Sequence, residues 1–166
     1  MTAAIAHMFN HALAKGTLFL AIACLAGAGA AVSLDGIAGA ARRAPVTMAV
    51  FLVAGLSLIG IPGTAGFVSK WYLVIAALEL GPAGAWLAMS VLASSVLAVV
   101  YVWRVIDAAY LASPGRAAIG SEPGYGALTV LVVAAAANVY FGLQPGLPLA
   151  LAQDAAATLL PMPFGK

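Results

Sequence analysis

Long apolar stretches separated by short polar or Pro/Gly-rich segments dominate the chain. Four can be delimited, at about residues 4–32, 46–80, 83–112 and 125–143. A helix needs about 20 apolar residues to cross a bilayer. Because lipid offers no partner to backbone amides, only helices or closed barrels cross it, and these runs lack the alternation of barrel strands. The pattern predicts an all-α integral membrane protein with about four transmembrane helices.

Composition supports the same class. Hydrophobic residues make up 64% of the 166 residues and charged residues 7%, whereas about a quarter of the residues in a soluble domain are charged. We expect one membrane domain over residues 1–143 and a proline-rich tail, residues 144–166, at the membrane interface. The net charge of +2 comes from scattered groups, which argues against nucleic-acid binding. The single cysteine, Cys24, favours neither a disulfide nor a metal site.

The second apolar stretch is too long for an uninterrupted crossing. Its 35 residues would form a helix of about 50 Å, although the hydrocarbon core is about 30 Å thick. Glycine and proline interrupt it, and proline removes a backbone hydrogen bond. The interrupting residues are Gly60, Pro62, Gly63 and Gly66. Either the helix is broken within one crossing, or two short helices form a hairpin.

The basic residues help to choose between these alternatives, because short cytoplasmic loops collect Lys and Arg. Arg42 and Arg43 lie in the first loop, and Arg104 and Arg116 lie near the third connection. A single broken crossing puts all four on one face of the membrane, whereas a hairpin would divide them. We therefore predict one broken crossing, with both termini outside and the basic loops in the cytoplasm.

Ionisable residues inside the first stretch form a polar stripe. His7, His11 and Lys15 follow at four-residue intervals, so they share one helix face. Unperturbed imidazole has a pKa of about 6.5 and passes protons near neutral pH, which favours a proton relay. In the alternative, the helix begins at the membrane surface and Lys15 reaches the headgroups. A metal site is disfavoured, because two histidines supply only two ligands.

Lys70 is the second candidate. It follows the break by four residues and precedes the helix end near Leu80 by about 15 Å. Broken helices at mid-membrane are where transporters hold ions and coupling protons. Lys70 is therefore the single residue on which a transport function most depends.

Two strings carry a resemblance to a known family. His-Met-Phe-Asn-His-Ala-Leu-Ala-Lys begins at His7, and Gly-Ile-Pro-Gly-Thr-Ala-Gly-Phe-Val-Ser-Lys-Trp begins at Gly60. Together they resemble the antiporter-like subunits shared by Mrp-type cation/proton antiporters and complex I. Ser-Lys-Trp-Tyr, from Ser69, looks most like the D subunit of Mrp antiporters.

The resemblance implies roles for the same residues. In that family, residues matching His7, His11 and Lys15 pass protons along a polar axis, and a broken helix carries a protonatable lysine that matches Lys70. Family members have about fourteen helices in two inverted repeats, and this chain resembles only the last four. The resemblance therefore implies partner membrane subunits in a bacterial inner (plasma) membrane. The chain is a truncated product, an artefact of gene assignment, or a split subunit whose N-terminal repeat a separate chain supplies.

The functional hypothesis is proton translocation within a multisubunit cation/proton antiporter, with protons and Na⁺ as the transported ions. The first alternative is a proton-pumping membrane-arm subunit of an NADH:quinone oxidoreductase. A scaffold or assembly subunit that transports nothing is the alternative of a different class, and an intramembrane hydrolase is disfavoured because no catalytic spacing is present. No cofactor is expected, since the sequence has neither a dinucleotide fingerprint nor a cysteine cluster.

Overall fold

The computed structural model describes residues 1–29, 33–113 and 122–159, and all its regular elements there are helical. They are α1 (Thr2–Gly27), α2 (Pro45–Ile59), α3 (Ala65–Leu78), α4 (Pro82–Ile106), α5 (Tyr125–Leu143) and α6 (Gly146–Leu159). A 3-10 turn, Ala40–Arg42, precedes α2, and a π-helical turn, Asp107–Leu111, extends α4. Within these ranges, α1, the extended α4 and α5 are each long and apolar enough to cross a membrane, whereas α2 and α3 are shorter.

The first helix ends earlier than predicted. Its last residue is Gly27 instead of residue 32, and Gly29 has a φ of +92°. A positive φ is readily adopted by glycine and ends an α-helix. The sequence prediction missed this because Gly27, Ala28 and Gly29 are as apolar as the helix before them. Residues 30–32 lie outside the described residues.

Helices α2 and α3 pack against the same two helices, α1 and α4, and each occupies a different part of their length. On α1, His7 and Asn10 reach α3, whereas Leu18 and Leu25 belong to the core cluster that includes α2. Helix α4 contacts both helices in the same way, through Val102 against Gly55 of α2 and Ser95 against Lys70 of α3. The two short helices therefore supply one broken crossing, as predicted, and the hairpin alternative is wrong.

Small side chains let the helices approach closely. Ala14, Ala21, Ala40 and Ala54 are buried at the centre of the main cluster, around larger side chains such as Met48. In membranes, where water does not drive helices together, close contact between small residues is a principal source of helix association. Many of the large apolar side chains instead face outward, most visibly on α4 and α5, as expected of surfaces in contact with lipid.

A distant carboxylate caps the start of α2. Glu122 Oε1 accepts hydrogen bonds from the backbone N–H groups of Val46 at 2.6 Å and Thr47 at 3.3 Å, and Glu122 Oε2 accepts one from Thr47 Oγ1 at 2.6 Å. Helix N-termini leave such donors unpaired and carry a partial positive charge. Glu122 therefore ties the segment preceding α5 to the first turn of α2.

The tail begins with α6, which packs mainly against α1. Pro148 and Ala152 are its buried residues. Residues 160–166 of the predicted interfacial tail lie outside the described residues.

Candidate functional site

The break between α2 and α3 begins at a glycine in the left-handed conformation. Gly60 has a φ of +94°, and the N–H groups of Gly60 and Ile61 both donate to Leu56 O, at 3.0 and 3.1 Å. Gly63 has a φ of +90°, and Thr64 Oγ1 donates to Ile61 O at 2.7 Å. Pro62 lies between the two glycines. The chain thus leaves the helical path at Gly60, Pro62 and Gly63, whereas Gly66, which was also predicted to be a break residue, lies in the first turn of α3.

Each helix caps the other across this break. Ser57, in the last turn of α2, accepts a hydrogen bond on Oγ from the Gly66 N–H of α3 at 3.2 Å. In the opposite direction, Lys70 of α3 caps the C-terminus of α2, because its Nζ donates to Leu58 O at 2.8 Å and to Ile59 O at 3.0 Å. These carbonyl groups are the orphan acceptors of the α2 C-terminus, where the helix dipole favours a cation.

The lysine has a third partner on another helix. Lys70 Nζ donates to Ser95 Oγ of α4 at 2.7 Å, and Ser95 Oγ in turn donates to Val91 O at 3.3 Å. An ammonium group has three donors, so the break and α4 satisfy all of them. Lys70 is partly buried and joins α2, α3 and α4 at one point.

Close backbone approach explains two of the glycines around the break. A Cβ at Gly66 would collide with the Ser57 carbonyl group, and a Cβ at Gly142 of α5 would collide with the backbone of Gly63 and Thr64. Gly60 lies directly beside the stem of Lys70, since a Cβ there would be 3.1 Å from Lys70 Cδ. Of the predicted break residues, Gly60 therefore borders Lys70, and Gly66 allows α3 to approach the end of α2.

The histidines of α1 reach the same region. His7 Nδ1 lies 3.1 Å from Ser69 Oγ, and the ring centroids of His7 and His11 are 5.4 Å apart. Ser69 is buried and also lies within hydrogen-bonding distance of Ala65 O and Gly66 O, at 3.4 and 3.3 Å. The Ser69 hydroxyl group can therefore donate its proton either to the imidazole nitrogen or, after rotation, to one of the carbonyl groups.

Lys15 lies apart from this cluster, one helical turn beyond His11. It is exposed in this chain and lines a cavity of about 330 Å³ with Leu18, Phe51 and Tyr101 among its other walls. The structure thus brings His7, His11 and Lys70 towards the break and leaves Lys15 on an open face of α1.

Several polar residues at the site were missed by the sequence analysis. Asn10 Nδ2 donates to Ala65 O at 2.8 Å, and Asn138 Nδ2 of α5 donates to Thr17 Oγ1 at 3.2 Å. Both asparagines are buried, and within the described residues the Oδ1 atom of each has no hydrogen-bond partner. An asparagine inside an apolar run is a usable signal, whereas the roles of Ser57, Ser69 and Ser95 depend on packing between helices and have no local signal.

The site gathers ionisable side chains at the helix break. A primary amine and two imidazoles surround an interrupted helix, and no group of three or more His, Cys, Asp or Glu within the described ranges is arranged to hold a metal ion. Ionisable residues inside a membrane are expensive and concentrate on ion and proton pathways. The fold and the site together define a multi-pass, all-α membrane protein built around a broken helix, a feature with which transporters hold ions.

Comparison with known proteins gives the family. Residues 1–98 match the family model described as "NADH:quinone oxidoreductase/Mrp antiporter, TM". The chain belongs to this family, as its two motifs indicated.

Two relatives and one solved structure illustrate the match. The chain is 45% identical over 109 residues to NADH-quinone oxidoreductase subunit N of Desulforudis audaxviator, covering 65% of this chain and 21% of that protein. It is 32% identical over 161 residues to subunit N 1 of Solibacter usitatus, covering 96% of this chain and 33% of that protein. A chain of the Mrp complex from Dietzia sp. DQ12-45-1b has the same fold, with a TM-score of 0.78 at 23% identity over 97% of this chain and 38% of that one. The chain therefore spans between 21% and 38% of the length of these proteins.

Proposed function

We propose that this chain forms a proton-conducting unit of an antiporter-like subunit and works inside a multisubunit membrane complex. The observation that supports this most strongly is the position of Lys70, whose ammonium group is held at the helix break by Leu58 O, Ile59 O and Ser95 Oγ. From α3, this group contacts oxygens of α2 and α4, and as a primary amine it can take up or release a proton. The proposal makes Lys70 the central proton carrier.

The histidines supply a route to the lysine. His7 contacts Ser69, the residue before Lys70, and His11 lies against His7. Protons pass between Lys15, His11 and His7 along α1 and then cross to α3 through the Ser69 hydroxyl. Some neighbouring side chains on this route are too far apart to share a hydrogen bond. In the proposal, bound water molecules bridge those distances and carry the proton across.

The rival of a different class is a scaffold whose polar groups only join helices. Replacing Lys70 with Met removes the ammonium group but keeps most of the side-chain volume. In inverted vesicles that contain the assembled complex, we expect this variant to assemble normally and to lose formation of a pH gradient. If assembly and gradient formation both match the native protein, the scaffold function is the better account.

The relatives favour one kind of assembly. Both named sequence relatives are NADH-quinone oxidoreductase subunits, one of them aligned over 96% of this chain, whereas the likeness to the Mrp complex at 23% identity concerns the fold alone. We therefore infer that the partners are membrane-arm subunits of a redox-driven, complex I-like assembly, and we retain the Na⁺/H⁺ antiporter as the second candidate. We place the assembly in the plasma membrane, with the basic loops of this chain in the cytoplasm.

The energy source distinguishes the two assemblies. In inverted vesicles, a redox-linked assembly acidifies the lumen when NADH is added and stops when its electron transfer is inhibited. An Mrp-type assembly instead dissipates a preformed pH gradient when Na⁺ is added. A response to Na⁺ that is independent of NADH would favour the antiporter.

A further inference from the structure

The oxygen atoms around Lys70 form a small cradle of defined composition. Its members are Leu58 O, Ile59 O and Ser95 Oγ, all within 3.0 Å of Lys70 Nζ. Neither carbonyl oxygen accepts a backbone N–H from any described residue. The acceptors are thus free for a cation. Because none of the three oxygens belongs to Lys70, truncation of the lysine leaves all three groups in the chain.

The number and kind of these acceptors match a primary ammonium group. An ammonium group on one carbon has three N–H donors, and the cradle presents three uncharged oxygens. Hard metal cations such as Ca²⁺ and Mg²⁺ take six or more oxygen ligands, which is twice what the cradle supplies. Among the described residues, no carboxylate bonds to Lys70, so recognition depends on hydrogen-bond geometry and on the partial negative charge at the α2 C-terminus.

The space next to the cradle is also suited to a linear alkyl chain. Gly60 lies beside Lys70 Cδ and Nζ, where its own Cβ would be 3.1 and 3.8 Å from them. The glycine thus leaves a groove along the break that the methylene groups of Lys70 occupy. A side chain at residue 60 would narrow this groove as well as oppose the positive φ.

We propose that Leu58 O, Ile59 O and Ser95 Oγ form a binding site for primary alkylammonium ions, which Lys70 occupies as a tethered occupant. The inference deepens the proposed function, because it names the chemical species that the break recognises. The alkylammonium site is tested by ligand binding and needs no transport measurement. The site and the proposed proton transport can therefore fail separately.

Truncation of the lysine opens the site to a free ligand. Lys70→Ala retains Cβ and removes Cγ, Cδ, Cε and Nζ, the atoms of n-propylammonium. The full-length variant in detergent is heated in n-propylammonium chloride, and its unfolding midpoint is compared with that in equal concentrations of tetramethylammonium, sodium and potassium chloride. We expect n-propylammonium to raise the midpoint by about 2–4 °C more than the other salts do. Tetramethylammonium carries the same charge and has no N–H donor.

Two matched variants show whether the effect belongs to the cradle. Lys15→Ala loses a lysine elsewhere in the chain and should not respond selectively to n-propylammonium. The double variant Lys70→Ala/Ser95→Ala lacks one acceptor and should lose most of the response. An equal response to tetramethylammonium, an equal response in Lys15→Ala, or equal stabilisation by sodium or potassium would overturn the assignment.

A second measurement applies if Lys70→Ala does not fold. Ser95→Ala keeps the lysine but removes one acceptor. A hydrogen bond to a charged group stabilises the ammonium form of Lys70, and its loss should make the Lys70 amine about tenfold more reactive towards acylation. Acylation by a membrane-permeant N-hydroxysuccinimide ester is followed by mass spectrometry, with Lys15 as the internal reference. We expect the Lys70:Lys15 ratio to rise in Ser95→Ala and to stay at the native value in Ser94→Ala. An unchanged ratio in Ser95→Ala would remove Ser95 from the site and overturn the proposal.

Discussion

Replacing Gly66 with Ala should disturb the helix break more than any other single-methyl change near Lys70. A Cβ at this position would collide with the carbonyl group of Ser57. The obstacle is backbone in the last turn of α2, so it cannot rotate away as a flexible side chain would. To relieve the collision, α3 must move away from α2.

The expected loss of stability can be worked out from three contributions. Overpacking against rigid neighbours costs about 1–3 kcal/mol, and stretching the 3.2 Å bond from Gly66 N–H to Ser57 Oγ loses about 0.5–1.5 kcal/mol more. The better helix propensity of alanine returns about 1 kcal/mol. The net destabilisation is therefore about 0.5–3.5 kcal/mol.

The assay is reversible unfolding of the purified chain in mixed detergent micelles, followed by circular dichroism. Gly126→Ala in α5 is the matched control, because a Cβ there meets no heavy atom within 4 Å; it should keep the native stability or gain up to about 1 kcal/mol from the better helix propensity of alanine. Displacement of α3 would also lengthen the bonds from Lys70 to α2, so transport by the assembled complex should fall. If Gly66→Ala is as stable as Gly126→Ala, the close packing of α3 on α2 is not as described.

Two further predictions concern contacts made by single side chains. Glu122→Gln removes the negative charge at the N-terminus of α2 and should lower the free energy of unfolding by about 0.5–2 kcal/mol; the exposed Glu79→Gln should have little effect in the same measurement, and equal effects would contradict the capping role. Ser69→Ala removes the hydroxyl group beside His7 and should slow proton transport about fivefold, which corresponds to one hydrogen bond of about 1 kcal/mol. Ser94→Ala is its control on α4, and a native rate in Ser69→Ala would exclude the hydroxyl group from the route.

The broken crossing was predictable because its signals are local. Gly60, Pro62, Gly63 and Gly66 disfavour a continuous helix whatever surrounds them, and the length of the apolar stretch showed that an interruption was needed. The same reasoning overlooked the end of α1, where Gly27 and Gly29 are less conspicuous without a proline. Local sequence signals therefore predicted the number of membrane crossings better than they predicted the residues at which the helices end.

The partners of the functional side chains could not be predicted in the same way. Ser95 is 25 positions from Lys70, and Glu122 is 76 positions from Val46; each pairing exists only because particular helices pack together. Serine is common in membrane helices, where it usually bonds to its own backbone, as Ser90 and Ser94 do here. Sequence analysis identified the lysine but not the oxygens that hold it.

Proton transfer by Lys70 is tested most directly with a side chain that keeps the positive charge and cannot release it. Arginine retains the charge and donors for the α2 carbonyl groups but is not deprotonated in proteins. Gradient formation is measured in inverted vesicles at matched assembly for native Lys70, Lys70→Arg and Lys70→Met. If Lys70 carries protons, both variants lose transport although Lys70→Arg keeps its stability; transport at the native rate in Lys70→Arg would show that only a fixed charge is needed and would contradict the relay.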